Sequence, residues 1–180
     1  MAMPLAAPRY TIADLDRFPD DGNRYELLGG VLLVTPAPGP SHQIVLGDLT
    51  IAIAVYLAPA GLATITTPGV LHLSDDTQLE PDLLVIPARY RDSAMWRQMS
   101  DWWLAVEVSG PGSRVYDRDF KTAAYLQAGV REVWRVDLRD HTVFVSRQGG
   151  PVDEPHAGRL IWHPAEMPQP LELDLRSVFR

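Results

Sequence analysis

Trp102-Trp103-Leu104-Ala105-Val106-Glu107-Val108-Ser109 is an almost unbroken apolar run with one acid near its end. Upstream, Glu80-Pro81-Asp82-Leu83-Leu84-Val85-Ile86 carries its last acid just before a second apolar run. Short runs this apolar predict strands over Asp82–Ile86 and Trp102–Ser109, covered on both faces. If the two pair antiparallel, the start of one lies beside the end of the other. Asp82 and Glu107 then share one sheet edge. Carboxylates in strands this apolar are costly unless paired or bound to a cation. Adjacent like charges also raise one pKa, a penalty that Mg²⁺ or Mn²⁺ removes. Hard oxygen ligands from two strands suit those ions better than zinc.

Working outward, the next signal is Lys121, the only lysine in a chain with fifteen arginines. A lysine that survives so strong a bias points to a need that guanidinium does not meet: a compact ammonium with a movable pKa. The competing reading is a chance survivor on a helix surface. Together with Asp82 and Glu107, the lysine suggests a metal-dependent phosphodiesterase site.

The remaining sequence predicts a mixed α/β order. A short helix follows Thr11, and Gly29-Gly30 joins strands at Arg24–Leu28 and Val31–Thr35 as a two-residue hairpin. Ser41 is expected to cap a helix to Leu57, with Val45, Leu49, Ile53 and Tyr56 at helical spacing. Strands follow at Ala63–Thr67 and Val70–Leu73, and a helical turn is expected around Met95, Trp96 and Met99. A loop from Ser109 to Ser113 leads into a helix from Tyr116 to Ala128, stopped by Gly129. Glu132–Asp137 and His141–Arg147 read as a hairpin, with further strands near Leu160–Trp162 and Leu171–Leu175. The sum is one domain over residues 1–180, a mixed central sheet with helices on its faces.

Composition narrows the function classes. There is no cysteine, so thiolate zinc sites and cysteine nucleophiles are excluded. The phosphate-loop, nucleophile-elbow and H-E-x-x-H patterns are absent, and the five histidines lack metal-like spacing. The longest apolar stretch, Ile44–Leu57, is interrupted by Gly47, Asp48 and Thr50 and reads as a core helix rather than a membrane span. No signal peptide is visible, and a cytoplasmic location is the expectation. A formal net charge of −7 argues against tight DNA binding by a lone monomer, because phosphate neutralisation needs basic residues.

Several pieces in this order resemble the PD-(D/E)XK nuclease superfamily, and more closely its Uma branch of restriction-endonuclease-like proteins. They are Tyr25-Glu26-Leu-Leu-Gly-Gly, Ser41-His42-Gln43, Glu80-Pro81-Asp82, Val106-Glu107-Val108-Ser109, Asp117-Arg-Asp-Phe-Lys121, Tyr125, and Ala128-Gly-Val-Arg-Glu-Val-Trp134-Arg-Val-Asp137. The resemblance covers roughly residues 10–150, leaving 151–180 as a C-terminal extension. It departs from the superfamily pattern at Ser109, where a lysine is usual, and in the Uma branch the lysine has moved to the next helix, the place of Lys121. The resemblance implies an α/β (α+β) restriction-endonuclease-like fold and a metal-dependent endonuclease acting on nucleic acid, DNA first. It further implies that Asp82, Glu107 and the Val108 carbonyl hold Mg²⁺ or Mn²⁺, that Lys121 assists the attacking water or the phosphoryl oxygens, and that Glu26 joins the site. Asp117 is expected to cap the Lys121 helix. His42 is expected either to hydrogen-bond an acid of the site or to be structural.

The alternative is a catalytically silent nuclease-like scaffold serving as an interaction module, which the acidic charge favours. A homodimer is also expected. The apolar residues of the 131–147 hairpin, with Trp102, Trp103 and Trp162, would supply its interface.

Overall fold

The structure is a computed structural model that describes residues 8–109 and 120–180. The loop expected after Ser109, the helix start at Tyr116 and the Asp117 cap lie outside the described residues. The chain opens with α1 (Ile12–Leu15), β1 (Arg24–Leu28) and β2 (Val31–Thr35), then the long α2 (Pro40–Leu57). Strands β3 (Ala63–Thr66), β4 (Leu71–Ser74), β5 (Thr77–Leu79) and β6 (Leu83–Pro87) follow. Two 3₁₀ turns at Ala88–Tyr90 and Trp96–Gln98 lead to β7 (Leu104–Ser109). After α3 (Thr122–Ala128) come β8 (Glu132–Asp137), β9 (Thr142–Arg147) and β10 (Glu154–His156). The chain closes with β11 (Arg159–Trp162), β12 (Leu171–Asp174) and α4 (Leu175–Val178).

Six strands form the central sheet in the order β10-β9-β8-β7-β6-β3, and a four-stranded sheet runs β2-β1-β5-β4. As the two apolar runs predict, β6 and β7 are antiparallel neighbours, with Leu83 opposite Val106. Extended by one residue, that register sets Asp82 across from Glu107. The β7–β8 pair is parallel, and α3 lies in the connection between them. Parallel neighbours need such a crossover, and both strands are buried along their whole length.

Alternation along the strands divides the core. Leu83, Val85, Leu104, Val106, Val108 and Trp134 face α2 and the C-terminal β11–β12 hairpin. On the opposite face, Leu84, Ile86, Ala105 and Val133 meet Tyr125 of α3 and Leu33, Leu71 and Leu79 of the smaller sheet. By length and composition α2 could cross a membrane. Its Val45, Leu49, Ile53 and Leu57 are instead buried against the sheet.

Several local expectations change. Ser41 does not cap α2: Gly39 takes the N-cap position without a side-chain bond, and Pro40 starts the helix. Proline's fixed φ is pre-organised for that first position. Gly29 and Gly30 both have positive φ (57° and 76°), the conformation a tight two-residue hairpin needs. The 131–147 hairpin is no spare apolar surface, since Val133, Trp134, Val136, Val143 and Val145 are all core residues. Trp102, Trp103 and Trp162 are buried too, so none of these anchors a partner.

Gly69 packs against fully buried Leu84, and a Cβ at position 69 would overlap that side chain near its backbone. Gly69→Ala should therefore lose about 1–3 kcal/mol of unfolding free energy, as overpacked core sites do. Urea denaturation checks this, and an unchanged midpoint would contradict the packing described.

Candidate active site

Glu26 lies in β1, between β2 and β5, and is completely buried. A carboxylate in that position is retained only if its oxygens are satisfied. One accepts the Glu80 backbone N–H at 2.7 Å, and the other accepts from Lys121 Nζ at 2.6 Å. The same ammonium donates to Glu107 Oε1 at 3.3 Å, and the Tyr125 hydroxyl donates to that oxygen at 2.5 Å. Lys121 is 2% exposed and stands at the N-terminal edge of α3. It is thus no helix-surface lysine but a buried cation between two acids. Tyr125, one turn further along α3, serves the glutamate.

Asp82 sits just before β6 and is nearly as buried. Its Oδ2 accepts from His42 Nε2 at 3.0 Å and from the Val108 backbone N–H at 2.8 Å. Its Oδ1 pairs with Arg24 Nη2 at 2.9 Å, while Arg24 Nη1 donates to the Glu80 carbonyl at 2.8 Å. Burial alone would raise the Asp82 pKa. The His42 bond and the Arg24 charge outweigh it and hold the carboxyl below its ordinary value. Burial likewise opposes the charge of Arg24, but Asp82, Glu107 and Glu26 lift its pKa above the usual arginine value.

These groups meet at one cavity of about 670 Å³, lined by Arg24, Glu80, Asp82, Glu107, Val108 and Lys121. His42 lines it as well, at the start of α2. Asp82 and Glu107 line the cavity together, as does the Val108 backbone. Glu26 does not line it and touches the site through Lys121. His42 takes the acid-bonded arrangement of its two readings. Sequence reasoning missed Arg24 and Glu80 as members of the site. The signal for Arg24 was present: alternation places it on the Glu26 side of β1.

Donor chemistry fits a hard dication. Among the described residues, no three His, Asp or Glu side chains converge as a ready-made cage. The two cavity carboxylates, however, lie beside the Val108 backbone. The N–H of Val108 points at Asp82, and in an extended strand the carbonyl of that residue points to the same side. At Glu80, burial first and the neighbouring Glu26 second raise the pKa.

The sequence pattern of the Uma2 family, described as "Putative restriction endonuclease", matches residues 12–176. The chain belongs to the Uma2 family. Among solved structures, this Uma2 chain is similar to "a putative nuclease belonging to DUF820" from Anabaena variabilis ATCC 29413. The two share 20% identity over 94% of this chain and 97% of that one, with a TM-score of 0.72. The likeness shows the fold, a restriction-endonuclease-like mixed sheet flanked by helices. No curated protein matches the chain.

The raised Glu80 pKa can be tested by substitution. A raised folded-state pKa means that the folded protein favours the protonated form. Stability is then drawn away as pH rises from the unfolded pKa through the folded one. Glu80→Gln should raise the melting temperature at pH 7 in EDTA and leave it unchanged at pH 3, where both forms are neutral. A loss of stability at pH 7 would contradict this electrostatic description.

Proposed function

We propose that this Uma2 protein is a metal-dependent endonuclease that hydrolyses phosphodiester bonds, with DNA as its substrate. The observation that carries the proposal is the Lys121 ammonium held between Glu26 and Glu107 in a cavity wall shared with Asp82. These groups come from β1, β7, α3 and the start of β6, and a chance helix-surface lysine has no such setting. Asp82, Glu107 and the Val108 carbonyl would hold Mg²⁺ or Mn²⁺. The ion would lower the pKa of a bound water and offset charge on the transferring phosphoryl group.

The chain's own residues supply the rest. Glu26 fixes Lys121 through a short ion pair, so the ammonium is held at the cavity wall without searching rotamers. Lys121 would donate to a phosphoryl oxygen or orient the attacking water. His42 and the Val108 N–H lock one oxygen of Asp82, which leaves Oδ1 as the oxygen that would hold the cation. Tyr125 holds Glu107 in its rotamer.

A homodimer remains part of the proposal, on a different surface from the buried hairpin. Ile44, Ile51 and Val55 form an exposed aliphatic stripe along α2, at 61%, 64% and 70% exposure. A second copy is the occupant we propose, because Ile44 adjoins cavity-lining Gln43 and a twofold contact there would bring two sites to one duplex. Light scattering at ~50 µM, where micromolar dimers associate, should give twice the monomer mass, and Ile51→Glu should halve it. A wild-type monomer mass would contradict this.

The catalytic test uses circular single-stranded and duplex DNA with Mg²⁺ or Mn²⁺, and EDTA as the control. Wild type should cut circles with metal and not in EDTA. Lys121→Arg keeps a charge between Glu26 and Glu107 but places a bulky planar fork there. It should lose roughly a hundred- to a thousand-fold in rate, the scale of a lost transition-state contact. Lys121→Ala is less informative, because two buried carboxylates left without their cation cost about 3–5 kcal/mol of stability. Full cleavage by folded Lys121→Arg would refute the catalytic role. A protein that neither binds metal nor cuts would support the silent-scaffold reading, which the net charge of −7 favours.

A further inference from the structure

Asp82 Oδ2 already accepts two hydrogen bonds, from His42 Nε2 and the Val108 N–H. A carboxylate oxygen offers about two lone-pair directions, so that oxygen is fully used. Oδ1 is the atom left for a cation, and the Arg24 guanidinium is already there at 2.9 Å. A dication on Oδ1 would meet a like charge in a setting where Asp82 is only 3% exposed. Little water screens the two, so their repulsion is far larger than between surface charges. The guanidinium is itself tied to the cavity wall through the Glu80 carbonyl at 2.8 Å. It is 23% exposed, so it has an outward path when Oδ1 is given up.

We propose that Arg24 is a built-in counter-ion that occupies the Asp82 position of the metal site and must leave it when a divalent ion binds. This rests on the metal-dependent reading above. Arg24 is then a positioning residue. It holds Asp82 in place without metal, and it lowers the affinity for metal by competing for the same oxygen. A merely structural arginine has the opposite signature, since its removal loosens the acids and weakens metal binding.

The experiment is calorimetric titration of the full-length chain with Mn²⁺ alone, for wild type, Arg24→Met and Arg24→Lys. Thermal melts in EDTA and in saturating Mn²⁺ accompany it. Arg24→Met should bind Mn²⁺ roughly tenfold tighter or more, a step of about 1.4 kcal/mol. It should melt lower than wild type in EDTA and gain more on adding Mn²⁺. Arg24→Lys, with one compact cation in place of a two-point fork, should fall between the two, and it carries the test if Arg24→Met does not fold. Binding by Arg24→Met with none by wild type is the extreme form of the same result. Equal or weaker binding by a folded variant, with wild type binding, overturns the counter-ion role and leaves metal dependence standing. No binding by any of the three overturns both.

Discussion

The buried ion pair between Lys121 and its two glutamates is the interaction on which the rest of the site depends. Glu26 has no exposure and Glu107 almost none, so neither is tolerable in its strand without a cation. Lys121 meets both, and in doing so ties β1, β7 and α3 to one point. Buried pairs of this kind are weak evidence for stability, because desolvating the charges offsets most of their attraction. In the proposed enzyme the pair would serve to hold the ammonium at the cavity wall. The superfamily pattern puts a lysine two residues beyond the acid, where this chain has Ser109. Here the lysine reaches the same glutamate from the following helix, so the arrangement in space matters more than the spacing in sequence.

Sheet topology sets the other half. The antiparallel register of β6 and β7 brings Asp82 opposite Glu107, while the parallel β7–β8 step requires a crossover that delivers α3 to the same end. The long α2 covers the opposite face, and its first turn sends His42 to Asp82. Each acid is therefore fixed by a different layer. Glu107 is held from α3, Asp82 from α2 and β1, and the cavity lies between them. A site assembled from separate layers is rigid because moving any one group disturbs core packing.

Much of this was legible in the sequence because the strands around the site are unusually apolar. Continuous runs at 83–86 and 104–108 leave little choice but central strands, and an acid at the end of each is conspicuous there. The Gly29-Gly30 hairpin and the Gly129 stop, with φ of 98°, follow from local backbone chemistry in the same way. Other features were hidden by their nature. Whether the 131–147 hairpin is surface or core depends on what covers it, and its cover is β11, β12 and α4, far along the chain. The burial of Lys121 likewise comes from β1, ninety-five residues away. Strand β5 is only three residues long and follows the acidic Asp75-Asp76 turn, so no periodicity marks it. Arg24 was overlooked because an arginine at a strand start reads as solvated, and only the Asp82 contact shows otherwise.

The central claim is that Asp82, Glu107 and the Val108 carbonyl form one cation site beside Lys121. Anomalous diffraction from a crystal soaked in Mn²⁺ tests it most directly. One strong peak is expected at coordination distance from Asp82 Oδ1, a Glu107 oxygen and the Val108 carbonyl, with Lys121 Nζ at the cavity wall beside it. A peak elsewhere on the surface with none between Asp82 and Glu107, at Mn²⁺ concentrations that support cleavage, would contradict it.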